Sequence, residues 1–190
     1  KNEYFRIGLW GGTNTSGTYK EFNHYVSFTY RQLNLSVWDT YNFSPGATYN
    51  NKEYFNYSAH STGRFIDATL SYRFGKQFPL FVAWSTILFG RDRNTSNTAN
   101  KYSTFIYVEY PIYQNKGWNI DTGIGGAFAL NEAGNDSHFS GNSPGIVHAA
   151  LKISKHVVFK EYKIPVYACM MWNPQRNNAF FQIGIQLFKF

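Results

Sequence analysis

Charge is the scarcest commodity in this sequence. Only 15% of its 190 residues are Asp, Glu, Lys or Arg, where a soluble domain carries about 25%. Cysteine is nearly absent, and the lone Cys169 excludes an internal disulfide and a cysteine metal cluster. No run approaches the roughly 20 apolar residues of a membrane-spanning helix, since the longest, Ile164 to Trp172, is broken by Pro165. Basic residues outnumber acidic ones by 18 to 11, yet they are scattered singly and form no stripe, which argues against a nucleic-acid partner. The chain opens at Lys1 with neither Met nor a signal peptide, so it reads as processed or trimmed.

What is present is aromatic: 18 Phe, 15 Tyr and 5 Trp, which excludes a disordered chain. The dominant pattern has period two, the signature of strands. Ile66, Ala68, Leu70, Tyr72 and Phe74 alternate with Asp67, Thr69, Ser71 and Arg73. Val147, Ala149, Leu151 and Ile153 alternate with His148, Lys152 and Ser154. Phe181, Ile183, Ile185 and Leu187 alternate with Gln182, Gly184 and Gln186. Further strands are expected near 3–11, 21–31, 33–43, 79–90, 101–112, 118–130 and 163–172, about ten in all, with no amphipathic helix. Most are longer than the usual five or six residues or so and match the roughly nine to eleven of a tilted membrane-spanning strand.

The connections alternate as well. Those near 11–20, 43–61, 90–101, 131–145 and 172–178 are rich in Asn, Ser, Thr and Gly, and most are long. Those near 31–33, 75–79, 112–117 and 155–162 are mostly shorter. Transmembrane barrels have this layout, with long loops outside and tight turns on the periplasmic side. Alternation alone suits a soluble lipocalin-like barrel equally well. Three features favour lipid. The polar face is Ser, Thr, Asn, Gly and Tyr rather than charge. Aromatics such as Tyr4, Trp10, Tyr30, Tyr41, Trp118 and Trp172 gather near strand ends, as in interfacial girdles. Closure also removes strand edges that no helix protects.

The expectation is one domain over 1–190, an all-β antiparallel up-and-down transmembrane β-barrel. Its lipid-facing set is Ile66, Leu70, Tyr72, Val147, Leu151, Ile153, Phe181, Ile183, Ile185 and Leu187. The segments Gly8-Leu-Trp-Gly-Gly12, Val37-Trp-Asp-Thr-Tyr-Asn-Phe-Ser-Pro45, Ile164-Pro-Val-Tyr-Ala168, Trp172-Asn-Pro174 and Ala179-Phe-Phe-Gln-Ile-Gly184 resemble the TorF-like porins, small outer-membrane barrels of Gram-negative bacteria. The resemblance covers nearly the whole chain, but its motifs are short and structural. It implies the outer membrane of a Gram-negative bacterium, contact with outer-membrane lipid, and about twelve strands where ten are visible here, since a hairpin normally precedes the Gly-Leu-Trp-Gly strand. It brings no catalytic residues and no cofactor.

The inward set is then Arg6, Asp67, Arg73, Glu109, Asp121, His148, Lys152, Gln182 and Gln186. Folding the hairpins about their turns brings Arg73 level with Glu109 and sets Glu109 opposite Asp121. Two facing carboxylates repel, so Arg73 and Lys152 are expected to complete a charge layer near the periplasmic mouth. Such a layer either forms a constriction selecting small polar solutes or plugs the barrel, since barrels of about eight strands are filled by side chains and open channels appear at about sixteen. Gly123, Gly125, Ala127 and Ala129 should leave room opposite Phe105 and Tyr107. Asp39 shares parity with Leu33, Leu35 and Val37, so a bulge near Trp38 is expected to turn it inward.

Function therefore reads as a narrow porin-like conduit, with an accessory barrel docked on other outer-membrane proteins as the alternative and a lipid-modifying enzyme as a third reading. Of the five histidines, His60 lies beside Ser58 and Ser61, and His138 beside Asp136, Ser137 and Ser140. Adjacency alone builds no triad. No two histidines sit at ligand spacing, and Asn131 to Ser143, though oxygen-rich, lacks the acids of a calcium loop. Asn-x-Ser/Thr triplets such as Asn34-Leu-Ser36 carry no expected glycan in this setting.

Overall fold

The computed structural model describes residues 3–131, 137–159 and 162–185. Ten strands follow one another without a helix: β1 (Glu3–Thr13), β2 (Lys20–Tyr30), β3 (Leu33–Asn42), β4 (Arg64–Arg73), β5 (Phe81–Gly90), β6 (Ser103–Asn115), β7 (Trp118–Ala129), β8 (Gly145–Phe159), β9 (Tyr162–Asn173) and β10 (Asn178–Ile185). They form one antiparallel up-and-down sheet in sequence order. No pairing joins β1 to β10 among the described residues.

The strands exist for the reason the alternation gives. Along β1, Phe5, Ile7 and Leu9 are exposed on one face, and Arg6 turns to the other, opposite Ser27. Register carries these two faces across the whole sheet, because each one-residue slip would exchange them. The polar face encloses a cavity of about 390 Å³ whose walls come from β4 through β10. The sheet therefore curls, with its polar face inside.

Tight turns close the short-connection end. Lys116 (φ 47°) and Gly117 (φ 80°) are both left-handed, the geometry of a two-residue hairpin turn whose twist matches the strands. The expected loop over 112–117 is thus mostly strand. Residues 155–162 differ in the same way: β8 runs to Phe159 and β9 starts at Tyr162, so the hairpin continues past the point where β7 stops pairing at Lys155. At the other end, Gly90 adopts φ +106°, and a Cβ there would run into the backbone of Arg64 and Phe65. Glycine alone fits that approach.

Among the described residues three bulges adjust the ladder, at Ile66/Asp67, Pro111/Tyr113 and Gly125/Gly126. The ladder through 36–40 is unbroken on both sides of β3. The bulge expected near Trp38 is absent, and Asp39 points outward with Val37 and Tyr41.

Candidate functional site

Register puts Arg6, Asp67, Arg73, Glu109, Asp121, His148, Lys152 and Gln182 on the inner face. Gln186 and Leu187 lie outside the described residues. On the outer face are Ile66, Leu70, Tyr72, Leu151, Ile153, Phe181, Ile183 and Ile185. Val147 is the exception and corrects the expectation. It is the extra residue of the β8 bulge between Ile146 and His148, 3% exposed, and it lines the inner cavity. Ile146 takes the outer position instead, exposed beside Gly126.

The charge layer assembles as one ion pair beside one pair of opposite charges in register. Arg73 Nη2 donates to Glu109 Oε1 at 3.5 Å, and Tyr107 OH donates to Glu109 Oε2 at 3.2 Å. Asp121 faces Lys152 across β7 and β8. The expected confrontation of Glu109 with Asp121 does not occur: Glu109 lies opposite Gly123, and Asp121 opposite Pro111. Proline has no N–H for the ladder and sits readily at a bulge. The hairpin turn at Lys116 and Gly117 sets this register, and the extra residue Ile112 keeps both carboxylates on the inner face.

Above this layer the inner wall is aromatic on one side and hydroxylic on the other. Phe105 and Tyr107 stack and hold His148 edge-on at 6.0 and 5.5 Å. Gly123 and Gly125 make this possible, because a Cβ on either would overlap the rings of Tyr107 and Phe105. On the adjoining strands, Thr69 donates to Ser85 at 2.8 Å, and Ser85 reaches Asp67 at 3.4 Å. Tyr25 stacks on Trp38 at 4.4 Å one row higher.

The long-loop end is partly capped from within. Ser103 Oγ donates to the buried Asp92 at 2.7 Å and accepts the amide of Phe139 at 2.8 Å. Phe139 packs on Phe65 at 4.9 Å, and its carbonyl accepts from Arg176. His138 staples this loop to itself. Its Nδ1 accepts the Ser140 amide at 3.2 Å, so Nε2 carries the proton and donates to the Ser143 carbonyl at 2.9 Å. Neither ring nitrogen is left to activate a nucleophile. His60 joins two loops, Nδ1 meeting the Asn97 carbonyl at 2.9 Å. No group of three or more His, Cys, Asp or Glu that could hold a metal occurs among the described residues.

A second polar cluster sits outside. Asp39 accepts from Arg64 at 2.6 Å and from Tyr57 OH at 2.7 Å, while Arg64 Nε donates to the Tyr54 carbonyl at 2.7 Å. The rings of Tyr41, Tyr54 and Tyr57 surround the guanidinium, which is 0% exposed. The loop over 43–63 thus folds down over the outer wall and covers an ion pair that register alone would leave on the apolar face.

No protein-family model, curated protein or solved structure matches this chain. The site rests on its own geometry. Reading the sequence missed Phe139, Asp92, Arg91 and the Arg64 cage. One usable signal existed, the charged triplet Arg91-Asp92-Arg93 directly after a strand in a charge-poor chain.

Proposed function

We propose that this chain is an outer-membrane β-barrel of a Gram-negative bacterium and works as a narrow conduit for small polar solutes. One observation carries the reading: the two faces differ in kind. The outer face exposes Phe5, Ile7, Leu9, Phe28, Leu35, Leu70, Ile124 and Ile183, a contiguous apolar surface far beyond what a soluble monomer tolerates. The inner face holds the charged pairs, the hydroxyl rows and the cavity. Lipid solvates the first, and water or solute the second. Backbone groups in hydrocarbon must all be paired, so the edges of β1 and β10 need closing. Two further strands, an even number that keeps the antiparallel alternation and the one that the resemblance to the TorF-like porins implies, would complete a twelve-stranded barrel.

The constriction would be the Arg73–Glu109 and Asp121–Lys152 layer, where opposed charges favour small, polar, hydrated solutes. Planar-bilayer recording of the purified protein tests this. Discrete conductance steps are expected, and a bilayer that stays silent over many insertions would remove the conduit.

A second reading is an accessory barrel with a plugged lumen, docked on other outer-membrane proteins. Phe139, drawn inward by Asp92 and Ser103, favours it because it obstructs the mouth. Gentle detergent extraction followed by mass analysis separates the two: a stable complex supports the accessory role, and a lone conducting barrel supports the conduit.

A further inference from the structure

Between the loops 43–63 and 91–102 lies a cleft of about 350 Å³, lined by Arg91, Arg93, His60, Tyr49 and several amides and hydroxyls, with no acid in its walls. Arg91 is the unusual member. Its guanidinium lies 3.7 Å from the centre of the Tyr49 ring, with Phe65 and Phe139 at 5.3 and 5.1 Å. Its Nε is buried without a hydrogen-bond partner, and no carboxylate lies within 4.0 Å of it among the described residues.

The nearby acids are occupied. Asp92 holds Ser103, Glu53 accepts from Asn50 and Asn56, and Glu21 accepts from Asn23 and Asn42. Arg93 is spent on Asn97 and Asn100, so it adds charge to the cleft rather than free donors. Aromatic faces repay part of the desolvation of Arg91, but its buried Nε–H stays without an acceptor. Burial draws its pKa down, with Tyr49 the main opposing influence, yet an arginine stays charged at any relevant pH. A partly buried, stacked, permanently cationic fork with an unmet Nε donor is the arrangement that binds an oxyanion, since its paired N–H groups match the oxygens of a carboxylate or phosphate.

We propose that this cleft is a binding site for a phosphate-type oxyanion, with Arg91 as its charged ligand and Arg93 and His60 supplying positive potential and a polar wall. The site stands whether or not solute passes through the sheet. The oxyanion is either a free solute or the headgroup of a lipid, and the chemistry of recognition is the same.

The test uses the full chain in a phosphate-free detergent at constant ionic strength. Inorganic phosphate and, separately, short-chain phosphatidic acid replace chloride, with melting temperature and phosphorus NMR linewidth as readouts. Saturable stabilisation by inorganic phosphate indicates the free solute, and stabilisation by phosphatidic acid alone indicates the headgroup. Arg91→Gln should weaken either at least tenfold, and Arg91→Lys, which keeps the charge but loses the fork, should fall between. A wild-type protein indifferent to both compounds overturns the proposal even if the glutamine variant does not fold. Binding that survives Arg91→Gln unchanged overturns it too.

Discussion

Asp39 and Arg64 meet at 2.6 Å on the outer face of the sheet, opposite the face that carries Arg73 and Glu109. Removing one partner of a buried pair leaves an uncompensated charge, at a cost of about 3–5 kcal/mol, whereas replacing both by apolar residues is often neutral. Asp39→Ala should therefore destabilise the protein by that order, and Asp39→Leu with Arg64→Met should recover most of the loss. Urea titration in detergent reads both. A double variant as unstable as the single one would show that the ring cage, not the charge, holds the loop.

The face assignment predicts opposite responses at adjacent positions. Leu70→Arg should impair membrane assembly, by up to about 2–4 kcal/mol at mid-depth, while Ser71→Arg is tolerated. Heat-modifiable electrophoretic mobility after reconstitution into vesicles distinguishes them. Equal behaviour would mean that the outer face does not meet lipid.

If the barrel conducts as proposed, Glu109→Gln removes one negative charge beside Arg73 and leaves the layer net positive. The reversal potential in a potassium chloride gradient should move towards that of chloride. An unchanged reversal potential would place the selective element elsewhere, with Phe139 at the mouth the next position to vary.

Glu53 is exposed and accepts amide hydrogens from Asn56 and Asn50, which hold its carboxyl below its usual pKa. A lowered folded-state pKa means that its contribution is complete above the unfolded value and disappears as pH falls through the folded one. Order in the 50–56 segment should persist at neutral pH and loosen only below the ordinary carboxylate range. Amide exchange at Asn56, followed from neutrality into acid, would show this, and Glu53→Gln should flatten the profile.

Gly90 offers a test of the loop-end geometry. Alanine there must hold φ +106° with its Cβ against the Arg64 carbonyl, so Gly90→Ala should cost more than about 1 kcal/mol. Denaturant unfolding measures it, and a neutral result would mean that β4 and β5 separate easily at that end.

Much of this arrangement was legible in the residues because period two is a strong local signal. Arg73 level with Glu109, Lys152 opposite Asp121, and Leu70 facing away from both follow from parity and turn placement. What escaped were the place of one turn and a single-residue departure from the period. The turn at Lys116-Gly117 lies further along than a fold about the middle of 112–117 assumes, which separates Glu109 from Asp121, and the Gly125-Gly126 pair hid the bulge that buries Val147. The Arg64 cage and the inward Phe139 escaped for another reason. Both depend on long aperiodic loops meeting strands far away in sequence, and no local pattern encodes where such a loop comes to rest.

The β8–β9 hairpin outruns β7: His156–Phe159 pair with Tyr162–Pro165 and, on the β7 side, with nothing among the described residues. Val158 and Tyr162 are exposed there, past the end of β7. A soluble factor approaching β7 from that end would meet this hairpin before the β7 wall, and shortening it would alter that encounter without disturbing what lies inside.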